Sequence, residues 1–221
     1  MISSSLTSCS NDDSNTAEKQ TNSFNLQSKS NISWFNFVND NYDLIENSFL
    51  DGINQDNLDI MLTKLGYETG SLTIDQFNEI YKEIIKVQNG PEMNFDDVYE
   101  RYYSDRSEYF KETLASILNS KIIDTEIGTD QWNTLTNEDQ NLLAGLNDLI
   151  KKYPNENNYS ARGLNPGGGM TWDLSPTASV IAFYTLVGTG VGLYLGGFTP
   201  VGAAIGAAIG AVVGVVAAVL K

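Results

Sequence analysis

Between Asp173 and Lys221 the chain carries no charge, and its last stretch, TPVGAAIGAAIGAVVGVVAAVLK, places glycine at 202, 206, 210 and 214. A helix that is apolar on every face is stable only where water is excluded all round it, inside a protein or inside a bilayer. The uncharged run divides itself in two. SPTASVIAFYTLVGTGVGLYLGG opens with Ser175 as an N-cap and Pro176 at the first helical position, and Thr199 with Pro200 repeat that pattern after Gly196 and Gly197. Each half holds about 20 residues, enough at about 1.5 Å per residue to cross a hydrocarbon core of about 30 Å. Residues 177–221 therefore read as a hydrophobic helical hairpin.

Gly188, Gly192 and Gly196 line one face of the first helix, and Gly202, Gly206, Gly210 and Gly214, followed by Ala218, line one face of the second. In water each glycine in a helix interior costs about 1 kcal/mol relative to alanine. In lipid such a face lets backbones approach closely and gain dispersion contacts. The expected partners are thus a lipid bilayer and other helices, including self-association through the zipper faces, with Thr185, Thr189 and Tyr184 placed to line a membrane defect. The alternative makes the hairpin the buried heart of a soluble bundle, before insertion or permanently. It requires the remaining helices to cover two all-apolar helices on every side.

Charge separates the rest of the chain from this tail. Of 28 acidic and 13 basic residues only Asp173 and Lys221 lie beyond Arg162, so the net charge of -15 belongs to residues 1–162. No basic stripe exists to neutralise phosphates, which excludes a nucleic-acid partner. There is no histidine and one cysteine, which removes disulfide frameworks, Cys/His metal sites and imidazole-based catalysis. No cofactor, metal or catalytic residue is indicated, and the paired carboxylates Asp96 with Asp97 and Asp12 with Asp13 read as solvated surface or sorting signal.

Residues 31–153 repeat apolar positions at helical spacing and read as an acidic bundle of about five helices, giving an all-α fold. The first stripe runs from Trp34 to Phe49. A second, short one holds Leu58, Met61, Leu62 and Leu65 and stops at Gly66. A third opens on the capping box Thr73 and Gln76, a fourth runs unbroken from Phe95 to Ile117, and a fifth is capped near Thr136. GSLTIDQFNEI resembles the exit half of an EF-hand, but Leu65, Tyr67 and Thr69 stand where oxygen ligands belong and Gln76 replaces the bidentate glutamate, so calcium is not expected. Tyr99, Tyr102, Tyr103, Tyr109 and Phe110 form an aromatic cluster whose spacing favours core over ligand binding.

The two polar joins carry the remaining signals. Leu6, Thr7 and Ser8 before Cys9 resemble a bacterial lipobox, making Cys9 the expected lipidation site and residues 1–8 a truncated signal-peptide remnant whose true start lies upstream. A free cysteine in a polar tail is the alternative. CSNDDSN is similar to the acidic patch that directs acylated lipoproteins to the cell surface in Bacteroidetes, and residues 9–30 read as a disordered tether. Residues 154–176 read as an exposed, glycine-rich linker. Within it Arg162 is the only base between Lys152 and Lys221, flanked by small residues. Arg162 followed by Gly163 reads either as the cut site of an Arg-specific protease, which would release residues 163–221 with net charge zero, or as a plain exposed arginine.

Together the LTSC box, the acidic patch, the polar helical front and the GxxxGxxxG tail resemble the glycine-zipper lipoprotein toxins of Bacteroidales, a group of bacteriocins. That resemblance implies an outer-membrane, surface-displayed precursor, cleavage to a smaller secreted toxin, and antibacterial killing by membrane permeabilisation. It also implies a target-cell receptor and an immunity protein as partners. Outer-membrane proteins cross their membrane as β-barrels, so the α-helical hairpin is expected to act on another membrane. Storage of a hydrophobic hairpin within amphipathic helices is also similar to the pore-forming colicin plan. The rival expectation is a structural envelope lipoprotein, uncut and cell-associated, similar to small outer-membrane lipoproteins with a two-segment glycine zipper.

Overall fold

The computed structural model describes residues 33–45, 52–90, 93–155, 173–197 and 199–219, and every regular element among them is helical. In chain order these are α1 (Trp34–Asp40), α2 (Gln55–Lys64), α3 (Ile74–Asn89), α4 (Phe95–Tyr102), α5 (Glu108–Leu118), a single 3-10 turn at Trp132–Thr134, α6 (Asn137–Lys152), α7 (Pro176–Leu195) and α8 (Pro200–Val219). The fold is all-α and ends in a hairpin of two apolar helices.

Local chemistry explains where the helices begin. Ser33, Asn54, Thr73, Asn94, Ser107 and Thr136 each accept, through the side-chain oxygen, an otherwise unpaired N–H of the first turn. Thr73 with Gln76 and Asn94 with Asp97 close full capping boxes. At the end of α2, Gly66 adopts φ +86°, Gly66 N–H donates to Thr63 O and Tyr67 N–H to Leu62 O at 2.9 Å. This Schellman turn reverses the chain and aims Tyr67 back toward the core.

Two stripes are more broken than their periodicity predicts. The run from Phe95 to Ile117 is two helices rather than one. Ser107 caps a new start by accepting from Phe110 N–H, while Tyr103 ends α4 and turns fully inward. The stripe from Trp34 to Phe49 is interrupted at Asn41, whose side-chain amide donates to Phe37 O and so competes with the helix ladder. Helix resumes over residues 42–45.

The hairpin occupies the centre. Helices α7 and α8 pack along their whole length, and α1, α3, α4 and α6 surround them. Trp34, Phe37, Phe77, Ile84 and Leu146 of the front share one continuous core with Ile181, Val187, Ile205 and Ile209 of the hairpin. Covering two apolar helices is achieved by economy of surface: the hairpin faces itself on one side, and four modest amphipathic helices bury most of the rest, leaving Tyr194 and Val216 exposed.

Candidate functional site

The seam between α7 and α8 is made of backbone. A β-carbon at Gly188 would lie 2.0 Å from Gly206 O, and one at Gly206 would lie 2.0 Å from Gly188 O. The same reciprocity recurs one turn on: a β-carbon at Gly192 would meet Gly202 O at 2.0 Å, and one at Gly202 would meet Gly192 O at 2.3 Å. Toward the other end, a β-carbon at Gly210 would strike Tyr184 O at 2.0 Å and one at Gly214 the Cα of Ile181 at 2.7 Å. Gly196, beside the tip, would put its β-carbon 2.7 Å from the Cα of Gly202. The two glycine faces therefore mesh with each other, within one chain. Each glycine is required by proximity rather than by backbone angle, and alanine at most of these places would occupy space already held by a carbonyl. Gly197 differs: with φ +71° it makes the turn that lets the strictly antiparallel pair close.

Both helices have the length and composition to cross a membrane, and most of each is buried inside the protein. Thr185 and Thr189 are buried and donate to Ile181 O and Thr185 O, each at 2.8 Å, so their hydroxyls are satisfied within α7. Tyr184 is half-buried.

The seam between hairpin and cover is made of side chains. Tyr103 is 1% exposed and its hydroxyl donates to Leu186 O at 2.7 Å in the middle of α7. Tyr67, placed by the turn after α2, donates to Pro200 O at 3.3 Å at the start of α8. Burial pushes the Tyr67 phenol up to about 12, with the Glu138 charge adding to the effect. Burial likewise holds Tyr103 neutral far above its ordinary range. Beside Tyr103, Arg106 pairs with Asp139 at 3.3 Å. Burial raises the Asp139 carboxyl, and the Arg106 charge opposes that rise. Two further glycines admit aromatic rings: a β-carbon at Gly190 would lie 2.5 Å from Tyr102 Cγ, and one at Gly145 would lie 2.1 Å from Trp34 Nε1. The aromatic cluster is core and clamp. Tyr103 stacks on Tyr99 and Phe110 with centroids 6.4 and 5.7 Å away.

The remaining polar sites are structural. Asp59 accepts from Gly70 N–H at 2.9 Å and from the Gln55 amide at 2.9 Å, so a carboxylate ties down the loop that resembles an EF-hand. Among the described residues no cluster of three or more acids or cysteines is placed to hold a metal ion.

Cys9, Arg162 and Gly163 lie outside the described residues. The base of the segment that contains Arg162 is defined, however. Asn155 donates to Asp173 Oδ1 at 2.8 Å, Ser175 donates to Tyr153 O at 3.0 Å, Asp173 N–H donates to Leu118 O at 3.0 Å, and Ser120 donates to Asp173 O. Ser120 holds φ +57° as the left-handed residue of the turn that ends α5, where Ser120 N–H donates to Ile117 O and Lys121 N–H to Ser116 O. Asn155 and Asp173, on either side of that segment, are thus cross-braced at one point.

Sequence reasoning located the zipper glycines and missed Tyr67, Tyr103, Gly145 and Gly190 as the points where cover meets hairpin. Gly145, isolated in the apolar face of LLAGLNDL, carried the one readable signal. No protein-family model matches this chain, and neither a curated protein nor a solved structure matches it.

Proposed function

We propose that this chain is the precursor of an antibacterial toxin whose hairpin is stored inside an acidic helical cover and inserts into a target bilayer, permeabilising it. The observation that carries this reading is a membrane-length, all-apolar helix pair already zipped together at the centre of a water-compatible bundle. A hydrocarbon tail is about as apolar as a leucine side chain. Transfer from the bundle core to lipid therefore exchanges one apolar environment for another and leaves the intra-hairpin contacts in place. What opposes release is the cover, whose own apolar faces and two tyrosine hydroxyls lose their partners.

In this scheme Cys9 carries the lipid that holds the precursor on the outer membrane surface, and an Arg-specific protease cuts between Arg162 and Gly163. The hydrogen bonds around Asn155 and Asp173 support this reading, since they hold the described chain on both sides of the segment together after a cut. A receptor on the target cell and an immunity protein in the producer are the partners such a toxin needs. No catalytic group enters the mechanism.

Dye-loaded vesicles of phosphatidylethanolamine and phosphatidylglycerol provide the test. Full-length protein should release little dye, and protein clipped by an Arg-specific protease should release it in proportion to dose. If intact and clipped protein are equally inert, and only uncut, cell-bound protein is found in the producer, the toxin reading fails and a structural envelope lipoprotein takes its place.

A further inference from the structure

An apolar groove of about 280 Å³ opens at the surface where the cover meets the hairpin. Its walls are Trp34 and Val38 of α1, Ile181 of α7, and Ala211 and Val215 of α8. At its mouth stands Lys152, the last residue of α6, with its ammonium 5.6 Å from the Phe35 ring centroid and 5.7 Å from that of Tyr153. The ammonium also donates to Asn39 Oδ1. Among the described residues no carboxylate pairs with it, whereas its neighbour Lys151 pairs with Asp124 and with Asp148. In a protein of net charge -15, a lysine at the mouth of an apolar groove offers an external anion a charge of opposite sign.

The chemistry of the walls selects the occupant. Peptide would bring a row of backbone N–H and C=O groups against a lining that is mostly apolar, with Asn39, Tyr42, Lys152 and Tyr153 its few polar side chains, at a high desolvation cost. A groove of about 280 Å³ leaves room for a slender alkyl chain. An apolar slot with one convergent charged group at its rim is the usual form of a small-ligand site. We propose that this groove binds a single-chain fatty acid, the alkyl chain lying between α1 and the hairpin and the carboxylate meeting Lys152 at the mouth. Because its walls come from both sides of the seam, an occupied groove holds cover and hairpin together, and the ligand stabilises the stored form by mass action. This goes beyond the proposed toxin activity and does not depend on it.

The full-length chain, titrated with laurate below its micelle concentration, tests the assignment by calorimetry and thermal melting. Micromolar binding and a rise in Tm are expected. Dodecanol, which lacks the charge, should bind at least tenfold more weakly. Lys152→Glu should weaken laurate at least tenfold, and Val215→Trp, which fills the groove, should abolish its effect. The Tm of each ligand-free variant shows that it has folded, and Lys152, being exposed, leaves the core untouched. Equal affinity for dodecanol, or laurate binding indifferent to both substitutions, overturns the proposal. So does a stabilisation that appears only with phosphatidylglycerol vesicles, since that would make the face a bilayer contact.

Discussion

The two seams of this molecule are built from different materials. Helix α7 meets α8 through backbone, glycine against glycine, with carbonyls filling the space a β-carbon would need. The hairpin meets its cover through side chains, with Trp34 resting on Gly145, Tyr102 on Gly190, and the hydroxyls of Tyr67 and Tyr103 reaching carbonyls of α8 and α7. A backbone seam survives a change of solvent from protein core to lipid, because close packing is its whole content. A side-chain seam is a set of separable contacts. The contrast implies that the hairpin moves as one piece and that any opening occurs between it and the cover.

The sharpest way to break that contrast is to widen the inner seam. Gly206→Leu with Gly210→Leu places side chains where carbonyls of Gly188 and Tyr184 now stand. Neither helix can yield without parting from the other. We expect a loss above about 5 kcal/mol, at the extreme of what core substitutions cost, seen as failure to give a cooperative urea transition in the uncut protein. A double variant that melts like the parent would show that the glycine faces do not hold the hairpin together, and would return them to contacts between separate chains.

Alkali acts on the outer seam. In the folded protein Tyr67 keeps its proton up to about pH 12, while an unfolded tyrosine ionises near pH 10. A raised folded value means that the stabilisation is fully present below pH 10 and is lost as pH climbs through about 12. For Tyr67 that amounts to roughly 2–3 kcal/mol at about 1.36 kcal/mol per unit. Tyr103 is raised for the same reason and adds in the same direction. Urea midpoints should fall steeply above pH 10, and Tyr67→Phe should flatten the fall. A midpoint independent of pH to 12 in the parent would mean that the phenols are not buried against the hairpin.

Removing one hydroxyl is gentler. Tyr103→Phe leaves the stacked ring in place, and Leu186 O keeps its own helical N–H partner. The loss should be about 0.5–1.5 kcal/mol, typical of a neutral hydrogen bond whose acceptor is not left unpaired. The variant should also release vesicle dye faster after clipping, since one clamp on α7 is gone. Unchanged release at reduced stability would place the rate-limiting contact elsewhere, with Tyr67 and Pro200 the next to examine.

How much of this was legible depended on whether the signal was local. The caps at Thr73, Thr136 and Ser175 are written in adjacent residues and appear as read. The hairpin is written in composition. The zipper glycines were identifiable as a helix-packing face, yet a period of four names no partner, and their meshing within one chain emerges only when α7 folds back on α8. The break between α4 and α5 was hidden because Tyr99, Tyr102, Tyr103, Tyr109 and Phe110 sustain apolar spacing across it. Tyr103 looked like one more turn of helix, whereas its hydroxyl is committed to Leu186, distant in sequence. Tyr67 was read as a mismatched EF-hand position; the Schellman turn at Gly66 that aims it at α8 is local, but its target is not.

The smallest expected effect separates cutting from release. Asn155, Asp173, Ser175 and Ser120 tie together the two points between which residues 156–172 run, so a cut at Arg162 leaves those hydrogen bonds in place. Clipping therefore turns an intramolecular seam into a bimolecular one whose persistence depends on concentration. In water the two fragments should co-elute at the 24.2 kDa position of the parent, with unchanged helical circular dichroism and a Tm that falls only on dilution. Adding vesicles should then move the hairpin fragment to the lipid fraction and leave the acidic cover in solution. Separation of the fragments in water alone would show that the outer seam is too weak to store the hairpin, and that the covalent connection is what holds it.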